Sequence, residues 1–178
     1  QAVQHTQLIF REGSSFLRDV DAELSDLGVG SVSGFEVMFD DLTRSVQSPT
    51  GWFQAAVGRL YGPGRQVGPS QRVLFLEVHL APALFDHAVL VFGAADAGKP
   101  LDPIPFTSAY NKNGWALSLF ASAPEFGVEA AWGASRSPTV FAGVPDLRAV
   151  VLPLDSMTDR IAIRKELVER GRRWLRET

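Results

Sequence analysis

The eight residues Gly62-Pro63-Gly64-Arg65-Gln66-Val67-Gly68-Pro69 constrain this chain more than any other feature. Proline brings no amide proton to a helix or ladder, and glycine loses more conformational freedom on ordering than any other residue. Three glycines and two prolines in eight residues therefore exclude regular structure there. The hydrophobic period also differs on the two sides, near 3.6 before the segment and 2 after it. The reading is one domain, 1–178, with a helical part over about 1–61, a connector over 62–70 and a sheet part over about 72–178.

Before the connector, Phe16, Leu17, Val20, Leu24 and Leu27 recur at helical spacing. Ser14 or Ser15 fits the start of that helix and Gly28 its stop. A short strand is expected ahead of it over 7–10. Ser33-Gly34-Phe35-Glu36 has capping-box spacing, and the helix it begins puts Phe35, Met38, Phe39, Leu42 and Val46 on one stripe. A third helix over 51–61 puts Trp52, Phe53, Ala56, Val57, Leu60 and Tyr61 on one face.

After the connector, a strand over 72–80 places Leu74, Leu76, Val78 and Leu80 on one face and Val73, Phe75, Glu77 and His79 on the other. A second strand follows over 87–92, then a loop over 94–105. Asn111-Lys112-Asn113-Gly114 predicts a hairpin turn, because Asn-Gly accepts the positive φ angles that tight hairpins need. Ser122 and Glu125 suggest a short helix ending at Trp132. A strand over 147–152 ends at Pro153, and Asp155 or Ser156 caps a final helix to about Arg170, with Gly171 as its stop. The fold class is α+β: a helical N-terminal third packed on a mostly antiparallel sheet of about four to six strands, closed by a C-terminal helix.

Composition narrows the chemistry. The 178 residues are 46% hydrophobic and 21% charged, as in a chain that folds rather than one that stays disordered. The chain has no cysteine, which removes disulfides, thiol nucleophiles, thiolate zinc sites and iron–sulfur ligation together. The formal charge of −3 argues against a bulk electrostatic partner such as duplex DNA. No apolar run approaches the ~20 residues that span a bilayer. The chain opens on Gln1, so residues upstream are expected. The expected location is cytoplasmic, with the periplasm and secretion left open.

Four places carry residues that do chemistry. Glu77, His79, Asp86 and His87 come first. Period-two geometry puts Glu77 and His79 on one strand face, and a hairpin returns Asp86 and His87 toward its end. Two imidazoles and two carboxylates suit a divalent metal, or a base whose tautomer a carboxylate fixes. The plainer reading is a polar, solvent-facing strand side followed by turn chemistry. Second, Arg65 and Arg72 flank a glycine-rich loop that fits a phosphate or carboxylate, although no Walker or dinucleotide pattern is present. As a plain connector it needs no ligand.

Third, residues 158–178 hold seven basic and four acidic side chains, a net +3 that leaves −6 for the rest. Arg164, Arg172, Arg173 and Trp174 are the candidate contacts there, for a protein partner or, as a weaker option, nucleic acid. A solvated helix whose basic end complements its own dipole is the alternative. Fourth, Phe106, Tyr110, Trp115 and Trp132 suit either a ligand pocket or the core.

No coherent set of acid, base and nucleophile appears, and no pattern names a metal or cofactor. The expectation is a non-catalytic, regulatory binding domain of a longer protein or complex, taking a protein partner or a small ligand. The alternative is a hydrolase built on the Glu77–His87 stretch, with or without a metal.

Overall fold

The computed structural model describes residues 2–32, 38–39, 56–64, 71–80, 82, 84–96, 120, 122–132 and 146–177. Helix α1 (Ala2–Ser25) leads into strands β1 (Gly30–Ser31), β2 (Met38–Phe39), β3 (Ala56–Gly62), β4 (Arg72–His79), β5 (Val89–Asp96), β6 (Glu129–Trp132) and β7 (Leu147–Pro153). A 3-10 turn, Leu154–Ser156, then feeds the last helix, α2 (160–176), whose middle turn Arg164–Val168 is π-helical. The strands form an antiparallel sheet in the order β1-β3-β4-β5-β7-β6, with β2 also on β3. The fold is α+β, as expected.

The helices cover one face of this sheet. Leu17, Val20 and Leu24 from α1, and Ile163, Leu167, Val168 and Trp174 from α2, pack with Tyr61, Leu74, Leu76, Val78, Leu90, Phe92, Val150 and Leu152. The strand residues in that set are alternate ones, as the pleat requires. The intervening residues Leu60, Val73, Phe75, Val89, Val91, Leu147, Ala149 and Val151 form a second core on the far face. That face is expected to meet solvent, and it is buried instead. Composition carries the reason: β5 is apolar on both sides and β4 places Val73 and Phe75 on its far side, the mark of strands covered on both faces.

The helical N-terminal third is only partly present. The segment 7–10 lies inside α1 rather than in a strand. Met38–Phe39 and Ala56–Gly62, read as helical, are strands. Two-sided burial explains β3: Val57 and Tyr61 serve one face, Ala56 and Leu60 the other, and their union imitates a helical stripe. The Gly62–Pro69 segment thus joins two hydrogen-bonded neighbours of one sheet, β3 and β4, rather than a helical half to a sheet half. At the edge, Ser31 faces Tyr61 and Met38 faces Gly58, so β1 and β2 pair with successive parts of β3.

Helix ends follow local chemistry. Gly28, at φ +74°, takes the left-handed position after α1, and its amide donates to the Ser25 carbonyl at 3.0 Å. The Asp159 side chain caps α2 by accepting from the Ala162 amide at 2.9 Å. The segment 122–128 makes no helix but a turn with Gly127 at φ +77°, feeding β6. Gly171 does not stop α2. It lies against Leu74, Leu27 and Phe92, where a Cβ would crowd their side-chain ends. The loop over 97–105, the expected hairpin over 106–121 apart from Phe120, and the segment 133–145 lie outside the described residues.

Candidate functional site

Glu77 and His79 are adjacent on the far face of β4, as the period of two predicts. Their side chains hydrogen-bond, His79 Nε2 to Glu77 Oε2, at 2.9 Å. Glu77 is 1% exposed and His79 5%, so the pair is buried and not on a solvent-facing strand side. Across the ladder Glu77 faces Gly58 and Val91, and His79 faces Ala56 and Val89. A carboxylate in this position fixes an imidazole's tautomer and orientation, which is what a positioned base requires.

Asp86 and His87 form a separate pair in the β4–β5 connection. His87 Nδ1 and Asp86 Oδ1 are 2.6 Å apart, with Asp86 96% exposed. This hydrogen bond holds the Asp86 carboxyl below the usual carboxylate range. The four expected residues therefore stand as two pairs, one inside and one outside. Among the described residues no three His, Cys, Asp or Glu are grouped as a metal ion needs.

The His87 ring belongs to an aromatic cluster. It lies 6.1 Å from the Phe85 ring and 5.4 Å from that of Phe126, and the two phenyl rings stack at 5.1 Å. Phe126 reaches this place from the turn before β6, whose Gly127 amide donates to the Val151 carbonyl at 2.9 Å. Phe126 is exposed, as are Leu84 and Val128, close to the ring residues in the chain. Sequence reading missed this cluster because Phe85 and Phe126 lie far apart in the chain. The one local signal was an aromatic residue beside each of two turns.

Several cations of the basic C-terminal segment are paired within the chain. Arg160 pairs with Asp19, and Arg164 with Glu23 and Asp26, at 2.7–2.9 Å. Arg170 pairs with Glu166, and Arg173 with Glu129 and Glu177. The +3 of this segment thus faces acids of α1 and β6. Arg172 is exposed. Trp174, a candidate anchor, is fully buried against Phe92 at 5.4 Å, because α2 turns that side to the sheet.

Arg72 is a structural hub. It holds Asp96 at 2.7 and 3.0 Å, Asp146 at 3.0 Å, and the carbonyls of Trp174 and Glu177 at 3.1 and 3.0 Å. One guanidinium thereby ties two strands to the carbonyl end of α2. Arg65 lies outside the described residues, as do Phe106, Tyr110 and Trp115. Trp132 packs edge-on to Phe120 at 4.9 Å beside the far core.

Sequence reading also passed over Asp21. Its carboxylate accepts from Arg59 at 2.6 Å and from the Tyr61 hydroxyl at 2.9 Å. Burial pushes the Asp21 carboxyl up, against the pull of Arg59, and burial pushes the Tyr61 phenol well up. Tyr61 therefore stays a donor. No family model, no curated protein and no solved structure matches this chain.

Proposed function

We propose that the chain is a non-catalytic binding domain, regulatory in role and acting within a longer protein or complex, whose contact surface is the Phe85–His87–Phe126 cluster. One observation carries this reading: three rings in mutual contact at 5.1–6.1 Å, carried by two turns whose Leu84, Phe126 and Val128 are exposed. Rigid aromatic side chains held by their neighbours give contact area at low entropic cost, and such residues dominate binding hot spots. The basic segment gives weaker support, since its cations are largely paired within the chain and Trp174 is enclosed.

Site-specific photo-crosslinking in the native host tests the choice. A photoreactive side chain at position 126 should capture a discrete adduct, and one at position 172 should not. Capture at 172 and none at 126 would return the surface to α2 and overturn this reading.

A hydrolytic reading is favoured by one observation, the buried Glu77–His79 hydrogen bond of 2.9 Å. A carboxylate-oriented imidazole is general-base chemistry. His79→Gln should then abolish any hydrolysis of p-nitrophenyl esters by the wild-type chain. An unchanged rate removes His79 from the chemistry.

A further inference from the structure

We infer that the aromatic surface takes a cationic, amphipathic segment of a protein partner, an inference that rests on the binding reading above. Three segments meet at this end of the sheet. The β4–β5 connection and the turn before β6 are joined by the Phe85–Phe126 stack. The Ala88 carbonyl accepts from the Leu154 amide at 3.1 Å, which brings in the turn after β7.

The charges in these segments have one sign. Residues 80–88, 122–128 and 153–158 contain Asp86, Glu125 and Asp155 and no lysine or arginine. All three acids are exposed. Asp86 is hydrogen-bonded to His87, which holds its carboxyl below the ordinary range. This stands in contrast to α2, where basic and acidic groups meet within the chain.

The Arg170 guanidinium, 4.0 Å from where a Cβ on Gly127 would lie, is already paired with Glu166, and an apolar face bordered by exposed carboxylates selects its occupant. An apolar partner without charge would strip water from the carboxylates and return nothing. An anionic partner, or an anionic lipid surface, would be repelled. A lysine or arginine lays its methylene stem along Leu84, Phe126 and Val128 and brings its cation to a ring face or a carboxylate. Interleaved apolar residues of the same segment then cover the exposed rings.

The test uses the intact chain and short fluorescent peptides read by polarisation. The probe alternates Leu and Arg, and matched peptides carry Ser or Glu in place of Arg. The Leu–Arg peptide should lose about tenfold in affinity in Asp86→Asn/Glu125→Gln and in Phe126→Ala, and less than about twofold in Glu12→Gln/Glu169→Gln. That last pair removes two exposed acids elsewhere on the molecule and controls for diffuse charge. Equal losses in the two double variants would overturn the inference, as would equal affinity for the Leu–Ser peptide. Leu–Ser binding that Phe126→Ala abolishes would leave the contact surface standing and remove only its cationic partner. If Phe126→Ala changes the binding of no probe, the binding reading falls with it.

Discussion

On the helix side of the sheet, inward-reaching charges meet opposite charges carried by distant parts of the chain. Arg59 on β3 meets Asp21 on α1, and Arg72 on β4 meets Asp96, Asp146 and the carbonyl end of α2. On the far side, Glu77 and His79 are two residues apart on one strand and meet each other. The first kind of contact joins elements and orients helices on the sheet. The second is made between two side chains of one strand, so it orients an imidazole inside an apolar layer. The comparison separates charges that tie distant elements together from a hydrogen bond made within a single strand.

The largest expected effect falls on the helix side. Trp174 has no exposure and packs on Phe92. Trp174→Ala should cost about 4 kcal/mol of unfolding free energy, by the lost transfer term and the cavity left behind. Urea unfolding followed by far-UV circular dichroism measures it. A cost under about 1 kcal/mol would show that the indole does not anchor α2 and would restore it as a docking residue.

Next comes the far side. A Cβ on Gly93 would lie 2.2 Å from the Phe75 ring and 2.3 Å from the Arg148 carbonyl oxygen. The second neighbour is main chain of β7 and cannot step aside. Gly93→Ala should therefore cost about 3 kcal/mol through overpacking. A near-neutral thermal shift would mean that the far face is looser than the helix side.

What the sequence made legible follows the same division. β4 and β7 were read almost to the residue, because breakers bound them: the connector before Arg72 and Pro153 at the end of β7. β3 was misread because apolar residues on both of its faces hide the period of two. Glu77 and His79 were placed on one face correctly, since alternation is a local property. Their burial was not legible, because it depends on what covers the sheet. The basic segment was read as an excess looking for a partner. Its acids, Asp19, Glu23 and Asp26, lie 138–141 residues away in the chain, and no local pattern points to them.

The Glu77–His79 pair offers a sharper test of the comparison. His79→Leu leaves a buried carboxylate without its imidazole and should cost about 2 kcal/mol. Glu77→Leu/His79→Leu should recover most of that loss, because two apolar side chains suit the Val89 and Val91 neighbourhood. A double variant as unstable as the single one would show that the pair, like Arg72 and its acids, builds the fold.

The smallest effect belongs to Gly171. A Cβ there would stand 3.0 Å from Leu74 Cδ1 and 3.1 Å from Leu27 Cδ1, the far ends of two side chains. Those methyls can move by a few tenths of an ångström, whereas the Arg148 carbonyl opposite Gly93 cannot. Alanine also favours a helix interior by about 1 kcal/mol over glycine. Crowding and propensity nearly cancel, and Gly171→Ala should change stability by less than about 1 kcal/mol. The pair of glycine variants thus contrasts a contact with side-chain tips and one with main chain. A Gly171→Ala loss as large as that of Gly93→Ala would mean that α2 cannot lift from Leu74 and Leu27, and that the helix side is packed as rigidly as the ladder itself.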